Sequence, residues 1–168
     1  VNRLVILNTA AFDLPGIPLR IRLARSPIIG DIAVRFLNLF ARLALVYAVV
    51  DKSKITPQIK AGYLFPYDNW QNRTAILHFL RDIPVERKHP TRTILEYIDQ
   101  NLYRLTNIPM LILWGKQDFV FTVDDSLAEW KRRFPQAEVH IFDNAGHYLL
   151  EDAAEEIMTL IQRFLCLS

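Results

Sequence analysis

Three stretches of the chain are almost wholly apolar and too short for helices. Arg3-LVIL-Asn8, Pro109-MLILW-Gly115 and Glu138-VHIF-Asp143 each carry four or five consecutive strand-forming positions between polar or turn-forming residues. Runs without polar alternation predict strands covered on both faces, as in a parallel sheet. Between the second and third runs, Val123, Leu127, Trp130 and Phe134 recur at spacings of 4, 3 and 4. That is one face of a helix, with Thr122 or Asp124 as its N-cap. A second helix after the third run would carry Ile157, Leu160, Ile161, Phe164 and Leu165. The C-terminal third therefore reads β-α-β-α, a pattern that requires parallel pairing and right-handed crossovers.

Residues 13–105 follow a different pattern, with no convincing strand and at least four helical stretches. Across Asp31 to Val50 the polar residues Arg35, Asn38 and Arg42 fall on one narrow stripe of a single helix. The rest of its circumference is apolar, so that helix is either buried on several sides or greasy on an exposed face. Thr56-Pro57 reads as a cap with proline at the first helical position, and Asp68-Asn-Trp-Gln71 as a variant capping box. A further helix from Thr91 to Arg104 would present Ile94, Leu95, Ile98, Leu102 and Leu105 on one face. The expected organisation is α/β: a core strand in 1–12, a helical lid over 13–105, and the rest of the core over 106–168.

Composition narrows the classes. The 168 residues are 51% hydrophobic and 23% charged, enough for a globular core. Twenty basic and 18 acidic residues are interspersed along the chain, so nucleic acid is not an expected partner. Cys166 is the single cysteine, which excludes an internal disulfide and fits a reducing cytoplasm. The run Leu37 to Val50 is interrupted by Arg42 and falls short of the roughly 20 residues that span a bilayer, so no transmembrane segment is expected. The chain opens at Val1 on a strand pattern, without the regions of a signal peptide, and is expected to begin mid-domain.

In open α/β sheets, functional groups collect beyond the carboxyl ends of the strands. Trp114 to Asp118 (WGKQD) and Asp143 to His147 (DNAGH) are the loops past two such ends, so Asp118 and His147 are expected to be neighbours. A carboxylate on one imidazole nitrogen fixes the tautomer and frees the other nitrogen for proton transfer. Each residue taken singly also suits an ordinary post-strand turn. Asn8 and Thr9 point to the same end of the sheet, whereas Glu151 and Asp152 read as favourable charges in the first turn of the last helix. His78, His89 and His140 lack metal-ligand spacing, and no metal is expected.

LWGKQD (Leu113 to Asp118) with EVHIFDNAGHYLLE (Glu138 to Glu151) resembles the last two strands of α/β-hydrolases. Gly62 to Arg73 and Phe79 to Pro84 are similar to the cap of the haloalkane dehalogenase and epoxide hydrolase branch. RLVILNTAAF (Arg3 to Phe12) is similar to the sixth strand of that branch and its exit loop. Within the branch, NTAAF, GYLFPYDNW, QDFVF, LAEWKRRFP and AGHYLLEDA most resemble the β-lactone decarboxylases of bacterial olefin biosynthesis. The resemblance implies Asp118 as triad acid and His147 as triad base. Some dehalogenases carry the acid near Asn8, and the amide there favours Asp118. Tyr63 and Trp70 are similar in placement to cap residues that face substrate, although aromatics at helix starts also anchor packing. Asn8 and Phe119 complete the expected substrate-contacting set.

The nucleophile elbow of this fold, G-x-S-x-G or a related turn bearing Asp, is not in the sequence. Its five glycines lie at 16, 30, 62, 115 and 146. The expectation is therefore a C-terminal half: acid, base and cap, inactive alone, with the N-terminal half of the same enzyme as its partner. The implied activity is cofactor-free chemistry on a small hydrophobic substrate, long-chain ones included, by a β-lactone decarboxylase or haloalkane dehalogenase-like hydrolase. Serine esterase, lipase and epoxide hydrolase are the alternatives within the fold. A nucleophile-less binding protein is the alternative outside catalysis.

Overall fold

The computed structural model describes residues 1–14, 16, 19–86 and 88–166, with only the backbone at Arg20. Strands β1 (Leu4–Leu7), β2 (Met110–Gly115) and β3 (Glu138–Phe142) form one parallel sheet in the order β1-β2-β3. Leu4 pairs with Met110 through to Leu7 with Leu113, and Leu111 pairs with Glu138 through to Gly115 with Phe142. Only β2 is buried along its whole length; β1 and β3, each with one neighbouring strand among the described residues, are half-buried, and Ile141 is exposed.

The helices follow from the same patterns. Between β1 and β2 lie α1 (Leu19–Arg25), α2 (Pro27–Gly30), α3 (Leu39–Tyr47), α4 (Pro57–Leu64), α5 (Thr74–Asp82) and α6 (Pro90–Asn101). After β2 comes α7 (Ala128–Arg133), and after β3 comes α8 (Leu149–Cys166). Side chains alternate across a strand. Met110, Ile112 and Trp114 accordingly face Leu127, Trp130 and Phe134 around α7, while Leu111 and Leu113 face Leu149, Ile157 and Phe164 of α8. The sheet is thus covered on both sides. A third apolar cluster, Val34, Ile76, Leu77 and Leu80, holds the helices between β1 and β2 together.

Four expectations need correction. The stretch from Asp31 to Val50 is not one helix: a π-helical turn, Asp31–Phe36, ends before Asn38, which is left-handed at φ 50°. Asparagine tolerates that conformation, and its buried amide donates to the Tyr67 carbonyl at 3.1 Å. The capping box at Asp68 does not form, because Asp68 accepts from the Asn69 and Asn72 side chains instead, and α5 starts only at Thr74. Arg73 bridges that turn to its neighbour, donating to the carbonyls of Arg35 and Phe36 and of Tyr67 and Asp68. Third, α6 stops at Asn101 and continues as a 3₁₀ turn, leaving Ile94 and Ile98 exposed and Leu102 buried. Fourth, Leu165 is 55% exposed, outside the α8 stripe that Ile157 and Phe164 bury.

Other signals hold. Thr56 accepts from the Ile59 N–H at 3.3 Å at the start of α4, and Thr122 from the Asp125 N–H at 3.1 Å. The apolar residues Phe36, Val46 and Tyr47 are exposed, the greasy-face alternative for that region. Among the described residues no helix is long and apolar enough to cross a membrane.

Leu113→Ala should cost about 2–5 kcal/mol in urea unfolding, because it empties a fully enclosed site on β2. Leu165→Ala should stay within about 0.5 kcal/mol; equal losses at the two positions would contradict the layer assignment.

Candidate active site

β2 ends at Gly115, and the chain turns at once: Asp118 N–H donates to the Gly115 carbonyl at 3.1 Å. This turn brings the Asp118 carboxylate back over the strand end. Oδ1 accepts from the backbone N–H groups of Val120 and Phe121, at 2.6 and 3.0 Å. Oδ2 is left for His147, whose Nδ1 lies 2.9 Å away. The Asp118 side chain is 0% exposed and the His147 side chain 26%. A carboxylate so oriented accepts a hydrogen bond from Nδ1–H and keeps the proton on that nitrogen, which leaves Nε2 as the proton-accepting nitrogen. Nε2 has no hydrogen-bond partner among the described residues.

The two loops meet more closely than ordinary side chains allow. A Cβ on Gly115 would lie 2.4 Å from the Gly146 carbonyl oxygen, and one on Gly146 would lie 2.7 Å from that of Ala48. Backbone bonds tie the loops as well: Lys116 N–H donates to Phe142 O and Gln117 N–H to Ala145 O, both at 3.0 Å. Trp114 supports the acid's loop from below, donating from Nε1 to the Phe121 carbonyl at 2.9 Å.

Asn8, expected among the substrate-contacting residues, sits at the same point with its amide bonded to backbone. Its Oδ1 accepts from the Gly115 N–H at 2.9 Å, and its Nδ2 donates to the carbonyls of Gly146 and His147 at 2.8 and 3.1 Å. The amide is buried and occupied at both ends by backbone, with φ at 35°. It joins the exit of β1 to both functional loops.

The remaining residues divide. The Phe119 ring lies 6.4 Å from the His147 ring, with Phe121 at 5.7 Å and Tyr148 at 6.0 Å, making an aromatic surround. Tyr63 reaches this surround from α4, stacking on Tyr148 at 5.3 Å and donating its hydroxyl to Glu151 at 2.7 Å. Burial, followed by that bond to the Glu151 carboxylate, pushes the Tyr63 phenol well above its ordinary range, so it stays a donor. Burial, with Tyr67 nearby, pushes the Tyr148 phenol up too. Trp70 instead carries the Arg35 guanidinium 4.0 Å over its ring and makes no ring contact with His147 among the described residues.

The sequence reading missed Phe121, Tyr148 and above all Asp152. Phe121 and Tyr148 were findable as near neighbours of Asp118 and His147. Asp152 lies in the first turn of α8 as expected, but it is buried, 7% exposed, and its carboxylate accepts from the N–H groups of Val50, Asp51 and Gly146. Among the described residues no cluster of three or more His, Cys, Asp or Glu could hold a metal ion. Here His89 caps α6 and His140 pairs with Glu138.

Comparison with known proteins agrees with this fold. A family model described as alpha/beta hydrolase fold matches residues 30–154. Two curated proteins named cis-3-alkyl-4-alkyloxetan-2-one decarboxylase, from Shewanella oneidensis and Xanthomonas campestris pv. campestris, are each 38% identical over 168 residues. The alignments cover 98% of this chain but 52% and 55% of those proteins, so the chain spans about half the length of the curated relatives it matches. Among solved structures, a loop variant of haloalkane dehalogenase DbeA from Bradyrhizobium elkanii superposes with a TM-score of 0.81 at 18% identity, over 98% of this chain and 59% of that one. Haloalkane dehalogenase DatA from Agrobacterium tumefaciens C58 gives 0.77 at 21% identity, over 98% and 57%. At those identities the superpositions speak for the fold alone.

Gly115→Ala should destabilise by about 1–3 kcal/mol and displace the His147 loop, since the blocking atoms are backbone carbonyls. Gly62→Ala, within α4 and with open space around it, should stabilise by about 0.4–1 kcal/mol. Thermal unfolding of both variants checks the contrast.

Proposed function

The chain belongs to the α/β-hydrolase fold family, and from that premise we propose that Asp118 and His147 are the acid and base of a nucleophile–acid–histidine triad acting on an apolar substrate. One observation carries the reading: Asp118 has one oxygen fixed by two backbone N–H groups and the other on His147 Nδ1 at 2.9 Å. An acid held in this way fixes the imidazole's tautomer without needing to take up a proton itself. His147 then moves protons at Nε2. The nucleophile we assign to a part of the protein outside these 168 residues, where the elbow motif is missing.

For the substrate, the reading follows the names of the 38% identical relatives: a cis-3-alkyl-4-alkyloxetan-2-one, which is a β-lactone with two alkyl arms. Its loss of carbon dioxide balances without water or cofactor. The carbonyl carbon leaves with both oxygens, and the two alkyl-bearing ring carbons become the alkene. Phe119, Phe121 and Tyr148 give the His147 side of the site the apolar character such arms need. Tyr63, stacked on Tyr148, is the cap residue best placed to meet substrate. The setting proposed is cytoplasmic, with the N-terminal portion of the same enzyme completing the site.

The test uses the full-length protein and a dialkyl β-lactone, with alkene quantified by gas chromatography. His147→Ala should lower turnover about 10²- to 10⁴-fold, and Asp118→Asn about 10⁴-fold through the wrong tautomer. Wild-type-like rates in either variant would remove the triad. Turnover of a haloalkane, epoxide or ester with no alkene from the lactone would keep the pair but reassign the reaction. The 168-residue chain by itself should turn over none of these compounds.

A further inference from the structure

His147 is fixed on both sides through its peptide neighbours rather than through its own backbone N–H. The N–H of Gly146, just before it, donates to Asp152 Oδ2 at 2.8 Å. The N–H of Tyr148, just after it, donates to the Ala48 carbonyl at 2.8 Å. Asp152 does not stop at the histidine loop. Its Oδ1 also accepts from Val50 and Asp51, both at 3.0 Å, and its Oδ2 from Val50 at 3.0 Å. The three N–H groups belong to two segments 95 and more residues apart in sequence, both converging on one carboxylate in the first turn of α8. Lys54 adds its ammonium to the Asp152 carbonyl, on the same side.

We infer that Asp152 is a positioning residue for His147, a clasp that holds the histidine loop and the segment 48–51 leaving α3 in one fixed relation. The inference rests on the reading of His147 as base for its functional meaning, while its geometry does not. A carboxylate suits the task because it is acceptor-only: Oδ1 takes the N–H donors of Val50 and Asp51, Oδ2 those of Gly146 and Val50, and neither oxygen has to turn a donor toward them. Asparagine has almost the same shape but must point an NH₂ at one of those sets. The consequence falls on the register of the loop. With Gly146 released, the close approach of Gly146 to Ala48 and Gly115 loses the bond that holds Gly146 itself to α8. His147 then loses its alignment on Asp118 Oδ2, although Asp118 itself stays fixed by Val120 and Phe121.

The experiment compares Asp152→Asn with Ile157→Val in the full-length protein. Ile157 is fully buried on the same helix, in the cluster facing Leu111 and Leu113, and shortening it weakens packing without touching the clasp. The readouts are the solvent-exchange rate of the His147 Nδ1 proton by ¹H–¹⁵N NMR and amide exchange at Val50, Asp51 and Gly146. Asp152→Asn should speed the Nδ1 proton about tenfold or more and release the three amides together. Ile157→Val should leave all four near wild type. An unchanged Nδ1 proton in Asp152→Asn, or the same change in Ile157→Val at equal loss of melting temperature, overturns the inference. If Asp152→Asn does not fold, the wild-type amides decide it: opening of Gly146 in step with Val50 and Asp51 supports the clasp, and independent opening overturns it. None of these signals requires substrate, so the clasp and the proposed reaction can fail separately.

Discussion

Gly115 has no room for a Cβ against the Gly146 carbonyl, nor Gly146 against that of Ala48, and the acid, the histidine and the first strand are all arranged around this close approach. Parallel strands direct their carboxyl ends to one edge, which makes such an encounter possible. Closeness makes it useful. Once two loop backbones touch, the side chains they carry are positioned by main-chain geometry rather than by flexible packing, and the 2.9 Å separation of Asp118 and His147 follows from it. The burial of β2 on both faces supplies the rigidity beneath, with Trp114 under the acid's loop and Leu111 and Leu113 against α8.

Three polar side chains share the edge and are used differently. Asp118 divides its oxygens between backbone and imidazole. Asn8 gives both ends of its amide to backbone and so connects β1 to both loops. Asp152 gives both oxygens to backbone and connects the histidine loop to the helical region. Buried polar groups in such a place are costly unless fully partnered; here, the His147 imidazole apart, the partners are main-chain N–H and C=O groups that loops leave without a ladder of their own.

Much of this was legible in the sequence, for identifiable reasons. The three strands announced themselves because continuous apolar runs of that length have few other uses, and the post-strand positions of Asp118 and His147 followed directly. Thr56 and Thr122 were readable as caps because capping is local. What failed was non-local. Asn38 fits the polar stripe of a long helix, and only the Tyr67 carbonyl 29 residues away shows why the helix breaks there. Asp152 looks like any acid in a first helical turn until Val50 and Asp51, over 100 residues earlier, are seen to donate to it. Leu165 matches the apolar alphabet of α8 but lies off its buried side.

Segment 48–51 has the character of a seam rather than a hinge. It interrupts the helical region between α3 and α4, yet Ala48 and Val50 bond to the histidine loop and the root of α8 as if they belonged to the sheet's own layer. Anyone grafting the helical region of one homologue onto the core of another would therefore do well to leave these four residues with the recipient. Cut on the wrong side, a chimaera would import a foreign floor beneath its own imidazole.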